Sequence, residues 1–236
     1  MNYTLFPTLE TVFTNVTKNH EAVFFPLLTV DLSSINKGKG KVHFVSYFRD
    51  GEPNEVTDPN ISYNFVKFKL VNDKYNFDGD FKKIYLFEKA IQWHKEALQI
   101  YKQYKNEYYV NSEFVKREDA RRMEIDFEYY YYIKSILNYW VTRDKYLETG
   151  KFIQGSAYTY GYSDQERDVY ENMEEYDDEG YVDEILIETL TEIKMNFKDL
   201  NFIGTVAAYN YLECGADEIT IFMNHNNEVF QYHNWS

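Results

Sequence analysis

The spacing of apolar residues changes period twice along this 236-residue chain, and that change restricts the fold classes open to it. Residues 42–48 (VHFVSYF) and 61–71 (ISYNFVKFKLV) alternate. In the second run Val66, Phe68 and Leu70 share one face and Lys67 and Lys69 the other, as in a half-buried strand. From residue 80 to 109 the period becomes helical, with Ile84, Phe87, Ile91, Leu98 and Tyr101 on one stripe. A second helical stretch runs from about Ser112 or Asp119 to Leu147. Its apolar face is Met123, Phe127, Tyr130, Ile133, Leu137, Trp140 and Val141, and Gly150 stands where a C-terminal cap belongs. The EYYYYI run at 128–133 has strand propensity, but the period on both sides makes it helix. A break near 110–112 predicts an antiparallel helical hairpin.

Alternation then returns at 151–162, 201–209, 218–224 and 228–235, with a short helix over about 182–194. His225-Asn226-Asn227 reads as a hairpin loop, and Pro26 places the apolar run 24–30 at a sheet edge or a bulge. The expected fold is α+β: a mixed or antiparallel sheet from N- and C-terminal strands, packed on a long central helical hairpin. A single domain spans 1–236, β-rich over 1–76, helical over 80–149, with an acidic segment and strands over 151–236. No Pro/Gly/Ser-rich linker divides it.

Aromatic residues make up 19% of the chain, including 24 Tyr and 18 Phe. Tyr buries a ring but needs a partner for its hydroxyl, so many of these rings belong at core boundaries or interfaces. One cysteine, Cys214, precludes an intrachain disulfide or a Cys-based zinc cluster. The first residues, MNYTLFPTLETVF, lack a basic region followed by an apolar stretch, and the longest apolar run, 22–30, is too short to span a bilayer. A cytoplasmic location and no membrane association are expected.

The charge is uneven. Formal net charge is −14, yet residues 164–192 hold 13 acids and one base, a net −12 that leaves −2 for the rest. Within that segment Tyr170, Glu174, Glu175, Tyr176, Asp177, Asp178 and Tyr181 interleave rings and carboxylates. Charge runs usually form solvated faces that aid solubility and repel nucleic acid. The same interleaving also suits a docking surface, because Tyr anchors interfaces and acids steer a basic partner. A calcium loop beginning at Glu175 puts Asp177, Glu179 and Gly180 at positions 3, 5 and 6, but Leu186 stands where a bidentate Glu is required. Lys116, Arg117, Arg121 and Arg122 form a basic cluster in the helical region that could pair with the acidic segment, within the chain or between copies.

Catalytic signatures are missing. His20, His43, His94, His225 and His233 make no helical metal pair, and no G-x-S-x-G occurs. Cys214 sits in a turn and would need a cation to become a nucleophile; His225 and His233 are its neighbours in sequence and would serve only if the last hairpin brought them to it. No catalytic residue, metal or cofactor is expected.

Two segments echo one another: 25–44 (FPLLTVDLSSINKGKGKVHF) and 202–222 (FIGTVAAYNYLECGADEITIF). Each has an aromatic start, a Thr-Val step (Thr29-Val30 and Thr205-Val206), a glycine-bearing turn and a strand ending in Phe. This layout resembles the YwqG-like family of bacterial proteins, which carries two related strand–loop–strand units in an α+β fold. The resemblance implies that fold and no activity.

Three functional readings are open. The first is a non-enzymatic binding protein, such as a bacterial immunity or inhibitor protein, docking a basic partner through the acidic Tyr-rich segment. The second is a small-molecule binder or enzyme with a pocket between sheet and helices, lined by Tyr, Trp93 and Trp140. The third is a self-associating structural component, a homo-oligomer held by the basic cluster against the acidic segment.

Overall fold

The computed structural model describes residues 2–48, 58–156, 161–169 and 184–235. The fold is α+β, built on antiparallel sheets. The first sheet has the order β1-β2-β3, from Tyr3–Leu5, Phe24–Asp31 and Lys41–Tyr47. The second has the order β5-β4-β10-β9-β8, from β4 (Phe65–Val71), β5 (Lys74–Asn76), β8 (Leu200–Val206), β9 (Glu218–Asn224) and β10 (Glu228–Asn234). Two short helices, α1 (Leu9–Val12) and α2 (Lys18–Val23), lead into β2. A two-stranded hairpin, β6 (Ile153–Ser156) and β7 (Gly161–Glu166), lies on the helices that precede it.

Pro26 lies at a bulge, where the β2–β3 register shifts between Pro26 and Leu28, and β2 is the central strand of its sheet. Pro cannot donate to a ladder, and the bulge removes the need. The echo read from sequence has a structural counterpart. The β8–β9 register shifts between Phe202 and Gly204, the same distance before Thr205 as the first bulge lies before Thr29. A 3₁₀ turn then begins three residues after each threonine, at Leu32 and at Ala208.

The two sheets are joined by side chains. Residues 42–47 of β3 are buried, so the N–H and C=O groups on its outer edge require partners. The His43 N–H donates to the Tyr75 hydroxyl (2.8 Å), which donates back to the His43 carbonyl (2.8 Å). Gln231, at the centre of β10, donates from Nε2 to the same carbonyl (2.7 Å) and accepts from the Val45 N–H at Oε1 (3.0 Å). The His43 ring is held between the Thr29 hydroxyl at Nδ1 (2.8 Å) and the Asp73 carbonyl at Nε2 (2.8 Å). A carbonyl only accepts, so Nε2 carries the proton and Nδ1 accepts. Gly40 permits the adjoining turn: its φ is +97°, and a Cβ there would meet Asp73 Oδ1 at 2.6 Å.

The helical region departs from the expected hairpin. Three helices occupy it: α3 (Phe87–Val110), α4 (Ser112–Ile125) and α5 (Phe127–Thr149). Asn111 and Asp126 separate them. Asn111 accepts from the Phe114 N–H and Asp126 from the Tyr129 N–H, each capping the helix that follows. A capping residue needs non-helical backbone, and Asp126 (φ −164°, ψ 125°) therefore interrupts what the period reads as one helix. Gly150 closes α5 in the left-handed region, as expected. The buried face of α3 is Ala90, Trp93, Ala97 and Tyr101, so Leu98 of the expected stripe is at the surface. Met123 and Phe127 are likewise exposed, Phe127 by 60%. Ala90 and Ala97 are fully buried, while Trp93, His94 and Tyr101 of α3 pack on Tyr129, Tyr132 and Trp140 of α5.

Tyrosines fasten α5 to α2, to β2 and to the β8–β9 connection. Tyr132 donates to the Ala22 carbonyl (2.9 Å), Tyr139 to that of Pro26 (2.7 Å) and Tyr131 to that of Cys214 (3.1 Å). The helix α6 (Glu184–Glu192) covers the other face of the second sheet, setting Leu186 and Leu190 against Phe65, Phe222 and Phe230.

The joint between the sheets can be tested by mutation. Gln231→Leu leaves the Val45 N–H buried without a partner and should cost about 1–3 kcal/mol in urea unfolding. The exposed Gln92→Leu should cost less than about 0.5 kcal/mol, and equal effects would contradict the assignment. Burial lowers the imidazoles of His20, His43 and His94 to about 4. The unfolded chain thus takes up these protons first as pH falls below 6.5, so the histidine contribution to stability declines from pH 6.5 to about 4. Urea midpoints at pH 7 and 4.5 test this; a midpoint unchanged or higher at pH 4.5 would refute it.

Candidate functional site

The seven residues expected to bind a partner, Tyr170, Glu174, Glu175, Tyr176, Asp177, Asp178 and Tyr181, lie outside the described residues, as does most of the calcium-loop alignment. The body holds the chain firmly on both sides of them. Before them, the Arg167 N–H donates to the Phe152 carbonyl (2.8 Å), Asn210 Nδ2 donates to the Asp168 carbonyl (3.2 Å), and the Tyr211 hydroxyl donates to the Val169 carbonyl. After them, α6 is packed on the second sheet.

Where the β8–β9 connection meets α5, charges are buried together. Lys134 Nζ lies 2.7 Å from Glu213 Oε1 and donates to the Tyr130 hydroxyl (2.8 Å). Asp119 of α4 is 4% exposed, and Lys134 and Arg122 both act on its carboxyl. Lys134 thus pairs with Glu213, and its charge also favours the ionised form of the Asp119 carboxyl. Burial pushes Glu213 up to about 7, against the pull of Lys134, and burial raises Asp119 as well. Burial alone would lower Lys134, but Glu213 and Tyr130 outweigh it and hold the ammonium charged.

Cys214 adjoins this cluster. Its thiol is pushed up to about 11, by burial first and by Glu213 second, which is the reverse of nucleophile activation. His225 is exposed in the last turn, while His233 pairs across the ladder with Ile219 and packs edge-on to Tyr47 at 4.6 Å. Among the described residues no group of three His, Cys, Asp or Glu is placed to hold a metal. No helix among them is long and apolar enough to cross a membrane.

A small cavity of about 20 Å³ lies between the first sheet and α5, with Phe25, Ser46, Tyr131, Cys214 and Trp235 in its wall. That volume holds about one water. Trp93 and Trp140 do not line it. Trp93 packs against Phe48, Tyr129 and Tyr132, and Trp140 against His94 and Tyr101. A wider groove of about 390 Å³ at the α3–α4 corner is lined by Tyr104, Glu107, Glu113, Phe114 and Arg117. Glu113 pairs with Lys116, Arg117 pairs with Glu118 and stacks on Phe114, and Glu107 accepts from the Asn111 side-chain amide (2.7 Å).

The expected basic cluster is neutralised on its own helix. Arg117, Arg121 and Arg122 all pair with Glu118, and Arg122 also with Asp119. Arg122 is 2% exposed. The Lys134–Glu213–Asp119 cluster is not among the sequence expectations. Its one signal in the sequence is a charged residue inside an apolar helical face, Lys134 one turn from Tyr130.

Protein-family models, curated proteins and solved structures contain no match to this chain.

Glu213 makes a pH prediction of the opposite sign to the histidines. Its proton is kept in the folded state up to about pH 7 but lost from the unfolded chain near 4.5, so its contribution falls as pH rises between these values. Glu213→Gln should remove that fall, steepening the gain in urea midpoint from pH 5 to 7. A pH profile parallel to the parent's would refute the assignment.

Proposed function

We propose that this chain is a non-enzymatic binding protein that docks a basic partner through the acidic, tyrosine-dotted segment at 164–192, in the manner of an immunity or inhibitor protein. The observation that carries the reading is the concentration of a net −12 in 29 residues of an otherwise near-neutral chain. An acidic stretch with interleaved rings gives long-range steering and short-range anchors together. Support also comes from the attachments at Arg167–Val169 and α6, which fix both ends of the stretch to the rigid body. Tethering limits the entropy a docking segment loses on binding. The paired bulged strand units support, as a proposal, a relationship to the YwqG-like family, from which no activity follows.

The reading of a ligand pocket between sheet and helices draws little support from a cavity of about 20 Å³. Self-association through the basic cluster draws little from arginines that are paired within α4.

The test is affinity capture from a lysate of the source cells, with the parent chain and a variant neutralised at Glu174→Gln, Glu175→Gln, Asp177→Asn and Asp178→Asn. A basic protein should be recovered with the parent and depleted at least tenfold with the variant. Recovery should also fall between about 0.1 M and about 1 M salt, as the Debye length shrinks from about 10 to about 3 Å. Equal recovery by parent and variant would overturn the proposal.

A further inference from the structure

The echo between the two strand units holds for the backbone and breaks down in the side chains of the turn. Each unit sets a 3₁₀ turn three residues after its threonine, over Leu32–Ile35 and over Ala208–Asn210. The first turn satisfies itself. Asp31 Oδ1 accepts from the Ser33 N–H (2.9 Å) and the Ser33 hydroxyl (2.6 Å), and the Ser34 hydroxyl donates to the Asp31 carbonyl (2.7 Å). Both serines are exposed. At the positions that match Ser34 and Ile35, the second unit carries Asn210 and Tyr211, and both are buried.

These two side chains reach back 42 positions in sequence, Asn210 Nδ2 to the Asp168 carbonyl (3.2 Å) and the Tyr211 hydroxyl to the Val169 carbonyl. Both carbonyls lie beyond the end of β7 at Glu166, where the ladder with β6 has stopped. The Tyr211 ring packs on Phe152, with centroids 4.7 Å apart, and on Phe6 at 5.6 Å. The Phe152 carbonyl in turn accepts the Arg167 N–H (2.8 Å), and Val169 packs against the main core. Three successive residues are therefore bonded to the body immediately before Tyr170. A 3₁₀ turn needs none of these bonds to form, as the self-satisfied first unit demonstrates.

The β8–β9 connection that carries this clamp is itself held on two sides. Gly215 approaches the turn so closely that a Cβ there would meet the Ala208 carbonyl carbon at 2.7 Å, and the Tyr209 N–H donates to the Ala216 carbonyl (3.2 Å). From α5, Asn138 Oδ1 accepts the Glu213 N–H, Lys134 pairs with Glu213 at 2.7 Å, and Tyr131 donates to the Cys214 carbonyl (3.1 Å). A side chain placed on so well supported a turn holds whatever it bonds at a fixed position.

We propose that Asn210 and Tyr211 are positioning residues of the docking segment: they clamp the backbone at Asp168 and Val169, so that the acidic stretch leaves the body from a fixed point and loses less freedom when a basic partner binds. The proposal rests on the reading of 164–192 as a docking segment. Neither residue brings a charge to the partner. Both act by preorganisation, which strengthens binding by lowering its entropic cost.

Tyr211→Phe and Asn210→Ala each remove one donor of the clamp and leave the acidic segment untouched. Amide hydrogen exchange on the intact protein, read by mass spectrometry, should quicken about fivefold over 164–169 relative to the middle of α5, the effect of losing one hydrogen bond. The dissociation constant for the basic protein captured by the parent chain, measured where urea unfolding shows each variant fully folded, should rise about threefold or more. Its slope against salt should stay at the parent's value because no charge is lost, whereas the charge-neutralised variant should flatten that slope. A fold defect alone would not weaken binding by a fully folded chain at an unchanged salt slope. Unaltered exchange over 164–169 would overturn the clamp. Faster exchange with an unaltered dissociation constant would overturn the positioning role and leave the docking reading in place. Capture of no basic protein by the parent would overturn the docking reading and this proposal with it. Should Tyr211→Phe fail to fold, Asn210→Ala decides.

Discussion

A strand edge that ends inside a protein must find partners for its N–H and C=O groups, and β3 finds them in two side chains of the other sheet. Gln231 reaches it from the middle of β10 and Tyr75 from β5. Neither has any measurable exposure. An amide side chain offers one donor and one acceptor in the same spacing as a peptide group, so Gln231 replaces a missing strand. The remaining architecture depends on this substitution. It lets the two sheets form one core while β3 stops pairing, and it places the β2 face against α5.

Tyrosine performs the same service on the helical side. Tyr131, Tyr132 and Tyr139 point three hydroxyls of one helix at carbonyls of three separate segments. The rings fill the space between helix and sheet, and the hydroxyls satisfy carbonyls left over at turns and at the Pro26 bulge. The abundance of tyrosine is thus partly a structural device.

Charge divides the molecule into two regimes. At the surface of α4, arginines and glutamates compensate each other within the helix. Beneath it, Lys134 pairs with Glu213, and burial raises the carboxyl groups of both Glu213 and Asp119. The excess of negative charge is kept apart from both, in the segment that the body holds at each end.

The sequence by itself determined the class of fold, because apolar period reports which face of each element is buried. It located strands at 42–48 and 218–224, the helix near 182–194, an edge or bulge at Pro26, the cap at Gly150 and the paired strand units. It also located the acidic segment, whose chemistry needs no fold to be read. Tertiary structure decided the rest. A side-chain cap at Asp126 turned an expected hairpin into three helices, since the period continues across a residue whose backbone does not. Tertiary packing buried Ala90 and Ala97 and left Leu98 at the surface. The bonds from Gln231 to β3 span 186 and 188 positions, and the pairing of Lys134 with Glu213 joins a helix to a distant turn. Local pattern carries nothing about a polar group's partner that far along the chain, so the joint between the sheets and the buried charge cluster exist only once the chain has folded.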